Sequence, residues 1–135
     1  MAPKYEIRRD KQAQTIYFQV TGSIDLATMK QIDAEYRRAT DAFYDRQHVV
    51  LADMRGLQPM VEEVASVLGG MIGYGRAHGA VRCAHLSDHV VQKLQAARLA
   101  RQSTPGDTVT VDVVSVQEAE RVLDEARAKL QSGAA

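Results

Sequence analysis

A chain of 135 residues lies in the single-domain range and can bury a core without disulfides or a structural metal. Its 17 lysines and arginines are interspersed with 17 aspartates and glutamates, so no charge field selects a polyanion, which argues against nucleic acid as a partner. The single cysteine, Cys83, excludes an internal disulfide framework, and no apolar run nears the roughly 20 residues that span a bilayer, so the expectation is a cytoplasmic protein without membrane insertion.

The opening "MAPKYEIRRD" is polar and charged, unlike the apolar stretch of a signal peptide. "KYEIRRD" and "QTIYFQV" alternate apolar and polar residues, which places Tyr5 and Ile7, then Ile16, Phe18 and Val20, on one face. With "KQAQ" as a polar turn between them, they predict a hairpin. Asp25 is an N-cap candidate for a helix whose apolar residues Leu26, Met29, Ile32, Tyr36, Ala39 and Phe43 recur at spacings of three and four. "HVVLA" is apolar without alternation, the mark of a central strand covered on both faces.

The stretch "LADMRGLQPMVEEV" then leaves the core at Asp53, exposes Arg55 and Gly56, and restarts as a helix with Pro59 in its first turn and Glu62 and Glu63 near the positive end of the dipole. Val61, Val64, Leu68, Met71 and Ile72 form its inward face. Gly69, Gly70, Gly73 and Gly75 each cost this helix about 1 kcal/mol relative to alanine, and they mark either close helix-to-sheet packing or fraying before Gly79. "AVRCAHL" predicts a fourth strand and "SDHVVQKLQAARLAR" a third helix, capped by Ser87 or Asp88. "TVTVDVV" predicts a fifth strand, and Ser115 with Glu118 a capping box for a last helix carrying Val116, Ala119, Leu123, Ala126 and Leu130. The reading is one α/β domain, order ββαβαβαβα, with a mixed, mostly parallel five-stranded sheet, four helices, an ordered core over about 4–131 and a disordered "QSGAA" tail.

That order, "VTGSIDLATMKQI" before and into the first helix, and "VVLADMRGLQPM" before the second resemble the sulfate-transporter and anti-sigma-factor-antagonist (STAS) domain. The likeness is stronger still to bacterial relatives grouped with STAS and CRAL-TRIO lipid-binding folds, to which "VRCAHLSDHVVQKLQAARLAR" followed by "VTVDVVSVQEAERVLDEA" is similar. The resemblance spans about Lys4 to Leu130 and implies a non-catalytic regulatory or protein-interaction module. Antagonist domains of that family carry a run like D-S-S-G at the start of the second helix, whose second serine is phosphorylated to release the partner. Here Val61, Glu62, Glu63 and Val64 stand in its place, so no hydroxyl occupies the switch position. Glu63 puts a permanent carboxylate there, with about one charge against nearly two for a phosphoserine.

Other chemistry is weaker. In "CAHLSDH", Cys83 and His85 share a strand face with Asp88 and His89 just beyond, residue types that bind zinc, but a buried cysteine, a helix cap and a first-turn histidine explain them. His48 and His78 read as solvated residues at element ends. "GGMIGYG" falls late in a helix, without the strand before it or the lysine and hydroxyl after it that a phosphate loop needs. Ser87, Asp88 and His89 sit on one turn and cannot form a hydrolytic triad, and no nucleophile elbow is present. No catalytic residue, metal or cofactor is expected.

What remains is placement, since ligands and partners of largely parallel sheets gather at the carboxyl ends of the strands. The expected partner surface comprises Ser23, Arg55, Gly56, Gln58 and Asp88 from those loops with Glu62, Glu63 and Ser66 on the second helix. An alternative reading is carriage of a small apolar ligand or lipid, with Met54, Met60, Met71 and Tyr74 lining an adaptable pocket. A homodimer is a third expectation, through a sheet edge left open by "YEIRRD", whose charges partly discourage pairing.

Overall fold

Alternation settles the first two elements of the computed structural model, which describes residues 4–88 and 108–132. Strands β1 (Tyr5–Asp10) and β2 (Thr15–Val20) pair antiparallel, Tyr5 opposite Val20 and Asp10 opposite Thr15. The turn between them closes when the Ala13 N–H donates to Asp10 Oδ1 at 3.0 Å. Helix α1 (Leu26–Asp41) follows, its N-cap Asp25 accepting from the Thr28 N–H at 2.7 Å. Then come β3 (His48–Asp53), α2 (Glu62–Ala77), β4 (Ala80–Leu86), β5 (Thr110–Val113) and α3 (Val116–Gln131).

Among the described residues the sheet runs β1-β2-β3-β4-β5, antiparallel only at the hairpin, so the expected mixed five-stranded sheet is present. Three helices lie among the described residues. The helix expected over "SDHVVQKLQAARLAR" falls beyond Asp88, outside them, as does the tail after Ser132. α3 runs one residue into the expected tail, to Gln131, and starts at the expected cap, where Ser115 Oγ accepts from the Glu118 N–H at 3.1 Å.

Two apolar layers enclose the sheet. On one face Ile16, Phe18, Val20, Val50, Ala52 and Cys83 meet Met29, Ile32 and Tyr36 of α1 and Val64, Leu68 and Met71 of α2. On the other, Val49, Leu51, Ala84, Leu86 and Val113 meet Ala119 and Leu123 of α3. β3 is buried from both sides, which is why "HVVLA" lacks alternation.

Two expectations for α2 change. Pro59 lies outside the helix, which begins at Glu62 after Val61, an extended residue at φ −64° and ψ 156° whose side chain makes no cap. Before it, the Gln58 N–H donates to the Gly22 carbonyl at 2.9 Å, so Leu57 and Gln58 belong to the bridge between the two loops and not to the helix. Nor does the helix fray among its glycines: it continues to Ala77, and Gly75 is needed for helix-to-helix contact, since a Cβ there would come 2.7 Å from the Tyr36 hydroxyl of α1.

Candidate functional site

At the carboxyl ends of the parallel strands, the loop after β3 is held by main-chain bonds to the loop after β2. The Gly22 N–H donates to the Gly56 carbonyl at 3.0 Å, and the Gln58 N–H to the Gly22 carbonyl at 2.9 Å, forming an isolated parallel bridge between Gly22 and Leu57. Leu57 is 2% exposed and anchors the loop in the core, leaving Arg55, Gly56 and Gln58 in solvent. Gly56 sits at φ +79°, where a side chain is strained, and a Cβ there would meet Thr21 Oγ1 at 2.6 Å.

Polar side chains complete the loop. Arg55 makes a two-pronged contact with Asp53, Nε to Oδ1 at 3.0 Å and Nη2 to Oδ2 at 2.8 Å, while its N–H also donates to Oδ1 at 3.2 Å. Partial burial pushes the Asp53 carboxyl up, but the Arg55 bonds and charge outweigh it and hold the group below the usual carboxylate value. From the end of β4, Asp88 Oδ1 accepts the Gly56 N–H at 3.0 Å. Together Gln19, Thr21, Asp53, Arg55, Gly56 and Asp88 line a shallow open groove of about 390 Å³.

Of the residues singled out from sequence, Ser23, Arg55, Gly56, Gln58 and Asp88 are thus gathered at one end of the sheet, with the Ser23 carbonyl accepting from Lys4 Nζ at 2.7 Å. Glu62, Glu63 and Ser66 form a separate exposed strip on the first turns of α2. Asp53, Gln19 and Thr21 were missed. The i, i+2 spacing of Asp53 and Arg55 was the one readable signal for this pairing, because the others reach the groove through strand register.

The alternative pocket residues lie elsewhere. Met54 and Met71, 5% and 2% exposed, are part of the packed core, and Met60 packs against its margin. The Tyr74 hydroxyl donates to Asp41 on α1, and its ring lies under the Arg37 guanidinium at 4.5 Å.

The histidines are not all where the sequence placed them. His85 is 5% exposed and its Nδ1 lies 3.0 Å from Asp112 Oδ1, while His89 is outside the described residues. Among the described residues no group of three or more His, Cys, Asp or Glu side chains could hold a metal ion. His78 is half-buried against Tyr74, with its Nδ1 2.6 Å from Asp45 Oδ1. His48, expected in solvent, is fully buried instead, its ring stacked on Phe43 at 4.6 Å because the chain after α1 folds Phe43 back under the start of β3. Its Nδ1–H donates to the Arg46 carbonyl at 2.9 Å, and its Nε2 is buried without a partner among the described residues.

Burial therefore holds the His48 imidazole below its ordinary value of 6.5, against the weaker pull of the Arg46 carbonyl. Above pH 6.5 both folded and unfolded chains carry a neutral His48, and its contribution does not change with pH. Below it the unfolded chain takes up a proton that the native state resists, so stability falls by up to about 1.4 kcal/mol per pH unit. Urea titrations at pH 7.5 and 5.5 are expected to show a shallower fall for His48→Phe than for the wild type, and equal falls would remove His48 from this role.

No family model matches the chain, and no curated protein matches it. Among solved structures it is similar to an uncharacterized protein of the DUF3478 family from Shewanella loihica PV-4, described as having a SpoIIAA-like fold. The TM-score is 0.65 at 19% identity, over 88% of this chain and 91% of that one. No described helix is long and apolar enough to cross a membrane.

Proposed function

We propose that this chain, which carries the SpoIIAA-like, STAS-like α/β fold, acts as a non-catalytic interaction module rather than as an enzyme. The observation that carries the reading is the loop after β3, whose main chain is stitched to its neighbour while Arg55 and Gln58 project into solvent. A surface built this way pays little ordering entropy when a partner docks.

The docking surface is the loop Met54–Pro59 together with the exposed strip Glu62, Glu63 and Ser66 at the start of α2. It offers one guanidinium, already oriented by Asp53, and, on the separate strip, two carboxylates in a helix's first turn, a mixed-charge pattern suited to a protein surface. With glutamate where the antagonist domains carry a phosphorylatable serine, the module engages its partner without a phosphorylation switch at that position. Burial of Met54 and Met71 in the core gives the apolar-ligand reading no support, so one reading is kept.

Arg55→Glu and Glu63→Lys are each expected to abolish recovery of the partner captured by the wild-type bait from its host. Glu63 is exposed, so Glu63→Lys is expected to move the thermal midpoint by no more than about 2 °C, whereas Arg55→Glu also sets a carboxylate against Asp53 and is expected to lower it further. Partner recovery unchanged in both variants would remove this surface.

A further inference from the structure

Among the described residues β1 ends the sheet, with β2 as its only strand neighbour. The Thr21 N–H donates to the Lys4 carbonyl at 2.9 Å, which makes Lys4 and Thr21 a bonded pair of the antiparallel ladder. Bonded pairs alternate along such a ladder. The main-chain groups of Glu6, Arg8 and Asp10 therefore turn toward β2, and those of Tyr5, Ile7 and Arg9 turn outward from the edge. An edge of this kind is a template for another strand.

The charges on β1 decide which strand fits. Lys4, Glu6, Arg8 and Asp10 alternate in sign along one side of the strand, the side where Arg8 lies over the Tyr17 ring at 4.1 Å. Read from the other end, the same positions give the same order with the signs inverted. We propose that β1 pairs antiparallel with β1 of a second copy, centred on Ile7, to form a two-fold dimer with a continuous ten-stranded sheet, twice the five strands of one chain.

In that register the outward groups of Tyr5, Ile7 and Arg9 meet those of the partner's Arg9, Ile7 and Tyr5. Glu6 then lies opposite the partner's Arg8, and Lys4 opposite the partner's Asp10. Opposite charges directly across a strand pair stabilise it, and like charges oppose it. Sliding the partner by two residues one way sets Glu6 against the partner's Glu6 and Lys4 against the partner's Arg8. Sliding it the other way sets Arg8 against the partner's Arg8 and Glu6 against the partner's Asp10. Of these three, only the register centred on Ile7 gives Lys4, Glu6, Arg8 and Asp10 each an opposite charge, so the edge charges that would discourage general pairing select a second copy. This proposal is independent of the Arg55 surface.

The test is the molar mass of the full chain by light scattering, up to about 1 mM protein because a single-strand interface is small. The wild type is expected to approach the dimer mass as concentration rises. Glu6→Arg and Arg8→Glu each create like-charge pairs on both sides of the two-fold axis, and each is expected to weaken dimerisation by about tenfold or more. Mixed in equal amounts, the two variants regain opposite charges at both crossings and are expected to recover the dimer, which also reports that both are folded. Arg9→Pro, which removes an outward N–H and leaves the ladder to β2 intact, is expected to be monomeric with a thermal midpoint close to that of the wild type. A wild type that stays monomeric throughout overturns the proposal and leaves the edge to an extended segment of another protein. Variants that dimerise like the wild type, or a mixture that does not recover the dimer, overturn it as well.

Discussion

Gly79→Ala is expected to destabilise the protein by about 3 kcal/mol or more, lowering the thermal midpoint by about 10 °C. Gly79 holds φ at +109°, which side-chain-bearing residues rarely adopt, and a Cβ there would lie 2.4 Å from the Arg46 carbonyl oxygen and 3.1 Å from that of Asp45. Those contacts are main chain, so no side chain can swing aside. The strand start cannot move freely either, because the Gly79 carbonyl accepts the His48 N–H at 2.9 Å, next to an irregularity in the β3–β4 register. Chemical denaturation of the variant checks this, and a loss below about 1 kcal/mol would mean that the turn yields.

Leu123→Ala carries the second large effect, a loss of about 3 kcal/mol. Leu123 is fully buried where α3 covers Val49, Leu51, Ala84, Leu86 and Val113, and truncation would leave a void against strands that cannot close over it. Val116, 46% exposed on the first turn of the same helix, is the contrast: Val116→Ala is expected to change stability by less than about 0.5 kcal/mol. Similar losses for the two variants would mean that the helix is held by something other than its buried stripe.

Where the deciding interactions are local, the sequence was readable. Asp25 and Ser115 cap the predicted helices because a short polar side chain reaches an N–H three residues on, and β1 and β2 form because alternation has one buried face. The start of α2 differs from the reading of the sequence because Val61 at the cap has no capping side chain to mark it, whereas Pro59, a residue suited to a first turn, stands two residues before it. His48 was misread because its burial depends on Phe43 returning from the end of α1. Exposure of Arg55, Gly56 and Gln58 followed from glycine and proline breaking the chain. The bond from Gly56 to Asp88 followed from strand order, which no periodicity encodes.

The stitching of the loop after β3 also separates shape from identity. Its path is fixed by the N–H and carbonyl groups of Gly22, Gly56 and Gln58, and by the buried side chain of Leu57. Main-chain groups are the same whatever residue bears them. Mutational drift at positions 23 and 58 can therefore rewrite what this end of the molecule presents without redrawing the loop, while positions 56 and 57 stay constrained. A lineage built on this scaffold can exchange one binding preference for another in single steps, and divergence among its members should concentrate at those two outward-facing positions.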